Sequence, residues 1–309
     1  MAQGVVYKST GSWYTVKDAS GMVWNTRIKG IFKMDGITST NPIAVGDIVH
    51  FDVETEGDNV GIIYKIEDRR NYINRQSPRH KHQHHIVSAN LDQSLLLATL
   101  REPRTSQGFI DRFCVASEMY YVPVVVVFNK ADLYRKKELA LFDELESMYK
   151  AINYPVFLIS VKEEKNMDVV NELLQHKTTL ISGHSGVGKS SFINAVLPQS
   201  GIRTQDVSGW SGKGQHTTTF AEMYDLSFGG RIIDTPGMRE FGLVDLEKTE
   251  LSGYFPEMRI RLNECQFNNC LHVNETDCAI KEGVRSGAIH ENRYVSYVNI
   301  LNSLGEQKR

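Results

Sequence analysis

Apolar and polar residues alternate in short runs near the start of the chain. The runs GVVYKSTGSWYTV, GDIVHFDVE and NVGIIYKIED show this period of two, and Gly, Asp and Asn separate them. Such alternation is typical of strands that bury one face, and the turn residues indicate short connections between them. The pattern predicts a small all-β barrel over residues 1–68.

A different pattern begins at residue 86. Continuous apolar runs such as QSLLLATL, VPVVVVFNK and YPVFLIS are separated by amphipathic stretches such as FIDRFCVASEMY. Uniformly apolar strands between helices are typical of a parallel sheet covered on both faces. We therefore predict an α/β domain over residues 86–245. Residues 246–309 have no strand pattern, and we expect a small α-helical domain there.

Length and composition agree with a multidomain fold. The chain has 309 residues, of which 41% are hydrophobic, so it can bury more than one core. No stretch approaches the roughly 18–20 apolar residues that a membrane span needs, and no N-terminal leader is evident. We expect a cytoplasmic monomer without a membrane partner.

A basic segment separates the first two predicted domains. Residues 69–85, RRNYINRQSPRHKHQHH, contain five Lys or Arg and no acidic residue, whereas the formal net charge of the chain is −2. Attraction to nucleic acid would therefore come from local patches of this kind. Two interpretations stay open: a solvated, mobile linker, or a loop that contacts RNA.

The predicted barrel also carries aromatic and basic residues together, with Trp13, Tyr14 and Trp24 interleaved with Lys17 and Arg27. An OB-type barrel can stack bases on aromatic side chains while basic groups follow the nucleic-acid backbone. The alternative is that the aromatic residues fill the barrel core.

A glycine-rich motif, GHSGVGKS, lies past the middle of the chain, and we call residues 183–190 the phosphate loop. It follows the predicted strand TTLIS and opens a predicted helix, so its backbone N–H groups can bind phosphates. Lys189 is expected to neutralise phosphate oxygens and to serve catalysis, and Ser190 to bind Mg²⁺. The other expected nucleotide contacts here are Gly183, His184, Ser185, Gly186, Val187, Gly188 and Ser191.

A second motif, IIDTPGM, ends another predicted strand. Asp234 can hold Mg²⁺ through water, and the Gly237 N–H can reach a terminal phosphate. The segment GQHTTTF lies between the two motifs. We expect its Thr217 and Thr218 to contact the nucleotide, with Thr218 as a magnesium ligand.

A third motif, FNKAD, indicates which base is bound. Asn129 can meet the O6/N7 edge of guanine, and the Asp132 carboxylate can accept from the ring N–H and the exocyclic amine. Adenine presents an unprotonated ring nitrogen there, which would leave a buried carboxylate unpaired. Lys130 belongs to the same motif, and Ser160 and Val161 are expected to place backbone N–H groups on the base. The ligand predicted is GTP or GDP with Mg²⁺.

These motifs stand in an unusual order, because the base-reading motifs precede the phosphate loop. Ligands of an open parallel sheet bind where the carboxyl ends of its strands converge, so the site does not depend on chain order. The order predicts a circularly permuted P-loop GTPase domain.

The residue that orients the attacking water is not the usual one. Many GTPases carry a glutamine just after D-x-x-G, but this chain has Met238, whose thioether cannot orient water. We expect His216 to position or activate water once a partner orders its loop, so unassisted hydrolysis should be slow. Alternatively, His216 is merely exposed on a mobile loop.

Three of the four cysteines fall within fourteen residues. With one histidine they form C-x4-C-x-H-x5-C, through Cys265, Cys270, His272 and Cys278. Three thiolates and one imidazole match a closed tetrahedral structural zinc site, and the metal would contribute much of the folding free energy of so small a domain. Unrelated free thiols are the alternative.

With N-K-A-D, I-S-V, G-H-S-G-V-G-K-S, H-T-T-T, D-T-P-G and a C/C/H/C cluster in this order, the whole chain resembles the RsgA (YjeQ) family. The resemblance implies an OB-fold barrel and a zinc domain that bind ribosomal RNA. It also implies a GTPase stimulated by the small ribosomal subunit and acting in late 30S maturation. His216 matches a histidine that family members generally carry before the switch threonines.

The segment after Gly237, which senses the terminal phosphate, runs directly into the predicted zinc domain. We therefore expect GTP to fix the zinc domain in a pose that binds the subunit, and hydrolysis to release it. Two other functions are weighed against this one. An ATP-dependent P-loop kinase or nuclease-associated ATPase is disfavoured by N-K-A-D. A non-catalytic RNA-binding module that uses GTP structurally is permitted by Met238.

Overall fold

The computed structural model describes residues 1–28, 41–54, 59–76, 84–198, 221–235, 243 and 246–306. The first part is a five-stranded barrel, as the alternation predicts. Strand β1 closes the barrel by pairing with both β2 and β4, and β3 runs parallel to β5. This is the Greek-key pairing of an OB-fold. The strands are β1 (Ala2–Ser9), β2 (Tyr14–Asp18), β3 (Val23–Ile28), β4 (Ile48–Val53) and β5 (Val60–Ile66).

The barrel aromatics divide between core and surface. Tyr14 is 2% exposed and belongs to the core, Trp24 packs on Phe51 with ring centroids 5.4 Å apart, and Trp13 is 48% exposed. The core interpretation thus applies to Tyr14 and, in part, to Trp24. Of the basic residues, Lys17 and Arg27 pair with carboxylates of the protein.

The segment predicted as a linker contains strands at its two ends. Strand β6 (Tyr72–Gln76) pairs antiparallel with β7 (His84–Ala89), while residues 77–83 lie outside the described residues. Asn71, just before β6, exchanges two hydrogen bonds with the backbone of Leu91, at 2.8 and 2.9 Å. Residues 72–76 and 84–85 of the predicted linker therefore lie in strands. The sequence did not indicate these strands, because their apolar residues are few, although one of them, Ile73, is fully buried.

The α/β part has a sheet ordered β10-β9-β8-β11-β13-β12, whose first five strands are parallel. Strand β12 is antiparallel at the edge. All residues of β8 and β9 are buried, as expected of central strands, including the polar Gln93 and Ser94 at the start of β8. In chain order the elements are β8 (Gln93–Ala98), α1 (Gln107–Glu118), β9 (Val124–Phe128), α2 (Lys136–Lys150), β10 (Val156–Leu158), α3 (Met167–Leu174), β11 (Thr178–Ser182), α4 (Lys189–Val196), β12 (Glu222–Asp225) and β13 (Arg231–Asp234).

The barrel and the α/β sheet are continuous. Strand β12 pairs antiparallel with β1, with Lys8 opposite Glu222, so eleven strands form one sheet. The Lys8 ammonium and the Glu222 carboxylate lie 3.0 Å apart across this junction. The barrel is therefore attached to the strand that follows the segment 199–220.

The C-terminal part is helical. It contains α5 (Pro256–Arg259), α6 (Ala279–Arg285) and α7 (Glu291–Glu306), together with single 3-10 turns at Leu251–Tyr254 and Leu262–Glu264. These helices share one apolar core with α1, α2 and β9, in which Phe113, Phe255 and Tyr297 are fully buried. Among the described residues, no helix combines the length and the apolar character needed to cross a membrane.

Candidate nucleotide-binding site and metal centre

The phosphate loop occupies the edge of the sheet where the parallel strands end. It joins β11 to α4, and two of its glycines leave no room for a side chain. A Cβ on Gly188 would lie 2.5 Å from the Asn129 amide nitrogen, and its φ of +91° also disfavours other residues; a Cβ on Gly183 would lie 2.6 Å from the carbonyl oxygen of Leu97. The glycines thus allow the loop to pack directly against the ends of β8 and β9.

Asn129 connects the phosphate loop to the base-reading loops. Its buried side chain donates from Nδ2 to the Val187 carbonyl at 2.9 Å and accepts at Oδ1 from the Val161 N–H at 3.1 Å. The loops after β9, β10 and β11 therefore meet at one side chain. An amide nitrogen carries two hydrogens, so one N–H of Asn129 is left for a base.

Ser160 and Val161 differ from the expectation that both place N–H groups on the base. The Val161 N–H donates to Asn129, and the Ser160 N–H donates to the Lys165 carbonyl at 3.2 Å. A base contact from Val161 would have to share or replace its bond to Asn129. Ser160 contributes through its hydroxyl, which donates to Asp132 Oδ1 at 2.7 Å and leaves Oδ2 for a ligand.

Lys130 has a left-handed backbone conformation (φ 64°, ψ 38°). Its ammonium donates to the Glu102 carbonyl at 2.6 Å, in the loop that follows β8. That loop, residues 99–105, is a part of the site that the motifs did not reveal. The one signal for it in the sequence is its place directly after a buried parallel strand.

Lys189 and Asp234 lie side by side at the other end of the site. The Lys189 ammonium forms an ion pair with the Asp234 carboxylate and donates to the Thr235 carbonyl at 3.2 Å. Both side chains are largely buried, at 17% and 13% exposure, so their charges offset each other where water is scarce. Ser190 and Ser191 follow in the first turn of α4, and His184, Ser185 and Gly186 form the outer part of the loop.

Four predicted site residues lie outside the described residues: His216, Thr217, Thr218 and Gly237. Their roles stay predictions. The described residues nevertheless bring the other elements of the motif set to one edge of the sheet, in spite of their rearranged order along the chain.

The predicted metal ligands also come together. One ligand atom from each of Cys265, Cys270, His272 and Cys278 lies within 4.8 Å of the others. The His272 ring points Nδ1 at the cysteines, 3.3 Å from Cys278 Sγ and 3.6 Å from Cys265 Sγ. Nδ1 is therefore the nitrogen that would bind the metal.

The chemistry of this set fits zinc. Burial raises the pKa of the Cys270 thiol to about 12 and lowers the pKa of His272, so the protein by itself disfavours charge here. A divalent cation supplies the compensation that buried thiolates need. Three sulfurs and one nitrogen fill a tetrahedron, so the site is structural and has no open position.

A parallel sheet with a phosphate loop, an N-K-x-D loop and a D-x-x-G strand at one edge defines the P-loop GTPases, and the chain order defines the circularly permuted ones. The model of the RsgA GTPase family matches residues 66–244, and that of the RsgA N-terminal domain matches residues 3–63. The chain belongs to the RsgA GTPase family and is a GTP-hydrolysing enzyme.

Relatives agree with this assignment. The small ribosomal subunit biogenesis GTPase RsgA of Flavobacterium psychrophilum is 49% identical over 99% of this chain and 94% of its own. The protein with the same name from Christiangramia forsetii is 50% identical over 97% of this chain and 95% of its own. The crystal structure of YjeQ from Thermotoga maritima superposes with a TM-score of 0.80, at 33% identity and 98% coverage of both chains.

Proposed function

We propose that the edge of the sheet binds GTP through the residues that the motifs single out. Asn129 and Asp132 recognise guanine, the phosphate loop and Lys189 hold the phosphates, and Ser190 with Asp234 holds Mg²⁺. The observation that carries this proposal is the Asn129 side chain, which bonds to both the phosphate loop and the Val161 loop. A single nucleotide can span loops that are linked in this way.

The hydrolytic step is proposed to depend on residues outside the described part of the chain. Thr217 and Thr218 close over the nucleotide, with Thr218 on Mg²⁺, and the Gly237 N–H contacts the terminal phosphate. His216 orients the attacking water when a partner orders its loop. His216→Ala should therefore abolish most of the stimulated rate; an unchanged stimulated rate would contradict this role.

The partner proposed is the small ribosomal subunit with its rRNA, which the relatives' names support. The protein would act in the cytoplasm as a monomer during late maturation of the 30S subunit, and nucleotide state would govern its binding and release. We propose residues 1–68, 86–245 and 246–309 as its domains, with the basic linker 69–85 between the first two.

The C-terminal helices pack on α1 and α2 through a shared apolar core. We propose that GTP fixes them in the pose that binds the subunit, through the segment after Gly237. We also propose that the nucleotide acts through the segment 199–220, which precedes β12 and so reaches the barrel.

Phosphate release from GTP, measured with separated ribosomal subunits, tests this function. We expect small subunits to accelerate release and large subunits to leave it unchanged. In sedimentation, more protein should pellet with small subunits in a non-hydrolysable GTP analogue than in GDP. Absence of stimulation would contradict the partner, and equal pelleting in the two states would contradict nucleotide control.

A further inference from the structure

The loop that follows β8, residues 99–105, lies in the middle of the nucleotide site. Strand β8 stands between β9, which carries the N-K-A-D loop, and β11, which carries the phosphate loop. Because all three strands are parallel, their following loops lie side by side at one edge. The loop after β8 is therefore placed to contact both neighbours, and it does so.

Its contacts run in both directions. On one side, the Glu102 carbonyl accepts from the Lys130 ammonium at 2.6 Å. On the other side, the Pro103 ring lies so close to Gly186 that a Cβ there would be 3.2 Å from its Cδ. Thr105 makes a third contact, a hydrogen bond at 2.7 Å between its hydroxyl and His184 Nε2.

The hydrogen bonds around Thr105 have a consistent direction. Thr105 is 3% exposed, and its Oγ1 accepts from the Thr99 N–H at 3.0 Å while its own N–H donates to the Thr99 carbonyl at 2.7 Å. A carbonyl oxygen can only accept, so His184 Nδ1, which lies 3.0 Å from the Ser185 carbonyl, carries the ring proton. His184 Nε2 then accepts from the Thr105 hydroxyl.

The His184 ring, held in this orientation, bonds to the backbone of the phosphate loop to which it belongs. Its Nδ1–H donates to the Ser185 carbonyl at 3.0 Å, and the Phe109 ring lies nearly perpendicular to it, at 87° with centroids 5.5 Å apart. A bonded Ser185 carbonyl fixes the peptide group that follows it. The direction of that peptide decides whether its N–H faces a phosphate or turns away.

We propose that Thr105 is a positioning residue for nucleotide binding, acting through His184 on the conformation of the phosphate loop. Thr105 touches no nucleotide in this account. Its hydroxyl orders the loop before binding, which lowers the entropic cost that the ligand would otherwise meet. The inference rests on the proposed function, since it assumes that residues 183–190 bind phosphate.

Thr105→Val tests the proposal, because it removes the hydroxyl at nearly constant volume. We expect the dissociation constant for GDP, measured by titration calorimetry, to rise about five- to tenfold, the order expected from the loss of the hydrogen bond to His184. KM for GTP should rise similarly, while kcat at saturating GTP stays within about twofold. Thr105→Ser restores the hydroxyl and should return the dissociation constant to near the wild-type value.

Ser106→Ala is the matched control at the next position along the chain, the N-cap of α1. The Ser106 side chain caps α1 by accepting from the Phe109 N–H, so its loss should lower thermal stability without changing GDP affinity. His184→Ala should weaken GDP binding about as much as Thr105→Val, and combining the two should add little. Because His184 is half-exposed on a loop, that variant also serves if Thr105→Val fails to fold.

Three results would overturn the inference: unchanged GDP affinity in Thr105→Val, equal weakening by Ser106→Ala, or no recovery in Thr105→Ser. Wild-type protein that binds no GDP would instead contradict the proposed function. The two failures are thus distinguishable in one set of titrations.

Discussion

A buried arginine joins the C-terminal helices to the α/β sheet. Arg293 on α7 is 1% exposed and donates to Asp111 of α1 at 2.5 Å and to Glu257 of α5 at 2.6 Å. Burial disfavours its charge, but attraction to these carboxylates outweighs that cost and raises the pKa of Arg293 above its ordinary value. The guanidinium also lies 4.6 Å from the centre of the Phe255 ring.

Arg293→Met should destabilise the protein by about 3–5 kcal/mol, because it leaves two carboxylates buried without their cation. Urea unfolding measures this loss. The control is Arg285→Met, which removes an exposed pair with Glu282 and should cost no more than about 0.5 kcal/mol. Equal costs for the two variants would show that the buried cluster does not hold the helices in place.

The sequence predicts some of these residues and misses others for a physical reason. The glycines, Lys189 and Asp132 can be predicted because phosphate and guanine impose local requirements on residue type and spacing. Asp111 and Arg293 are 182 positions apart and each looks like an ordinary helical charge, so only the packed structure reveals the pair. The bonding of the Val161 N–H to Asn129 was missed likewise, since it depends on how two loops meet.

At the scale of elements, the zinc ligands depend on a carboxylate that is not itself a ligand. Glu275 accepts from the backbone N–H groups of Leu271 at 2.7 Å, Val273 at 2.9 Å and Asn274 at 3.0 Å. These bonds surround His272, whose φ of +59° lies in the left-handed region. Glu275 thus fixes the turn that aims the His272 ring at the cysteines.

Glu275→Ala should weaken zinc binding about 10- to 100-fold, as expected when a supporting residue of a metal site is lost. Competition with a chromogenic chelator measures the affinity. Glu264→Ala is the control, because Glu264 lies beside Cys265 but makes only a long, exposed ion pair at 3.7 Å. If both variants release zinc equally readily, the support assigned to Glu275 is wrong.

Helices and strands could be predicted where their hydrophobic pattern is clear. The alternating barrel strands and the buried strands β8 and β9 with their apolar runs were both expected and found. Strands β6 and β7 were not expected, because their apolar residues are few among basic ones and their stability depends on pairing with each other. A pattern along one strand does not contain that information.

For the molecule as a whole, a carboxylate at the junction between the barrel and the α/β sheet connects the two parts. Asp225 on β12 accepts from Tyr7 at 2.6 Å, Lys17 at 2.5 Å and Arg231 at 3.3 Å. One carboxylate therefore joins two barrel strands to two strands of the α/β sheet. A change in the segment before β12 would be transmitted to the barrel through this contact.

Asp225→Ala should loosen the junction without unfolding either part, because the ion pairs are partly exposed and worth at most about 1 kcal/mol each. Hydrogen exchange should become faster in β12 and in the end of β1, but not in β4 or β5. Asp52→Ala, at an exposed carboxylate on β4, provides the control. Unchanged exchange in β12 would mean that Asp225 does not join the two parts.

We expect loops from a rearranged sequence to meet around one guanine nucleotide, and a change in which base the Asp132 side chain recognises provides the test. Xanthine has a carbonyl where guanine has its amine, so Asp132→Asn should weaken GTP binding at least about a hundredfold and strengthen XTP binding. Competition against labelled GTP and labelled XTP measures both, with Asp168→Asn on α3 as the control. We predict a switch of preference from GTP to XTP in Asp132→Asn alone; an unchanged preference for GTP, or wild-type binding displaced equally well by ATP, would contradict the account.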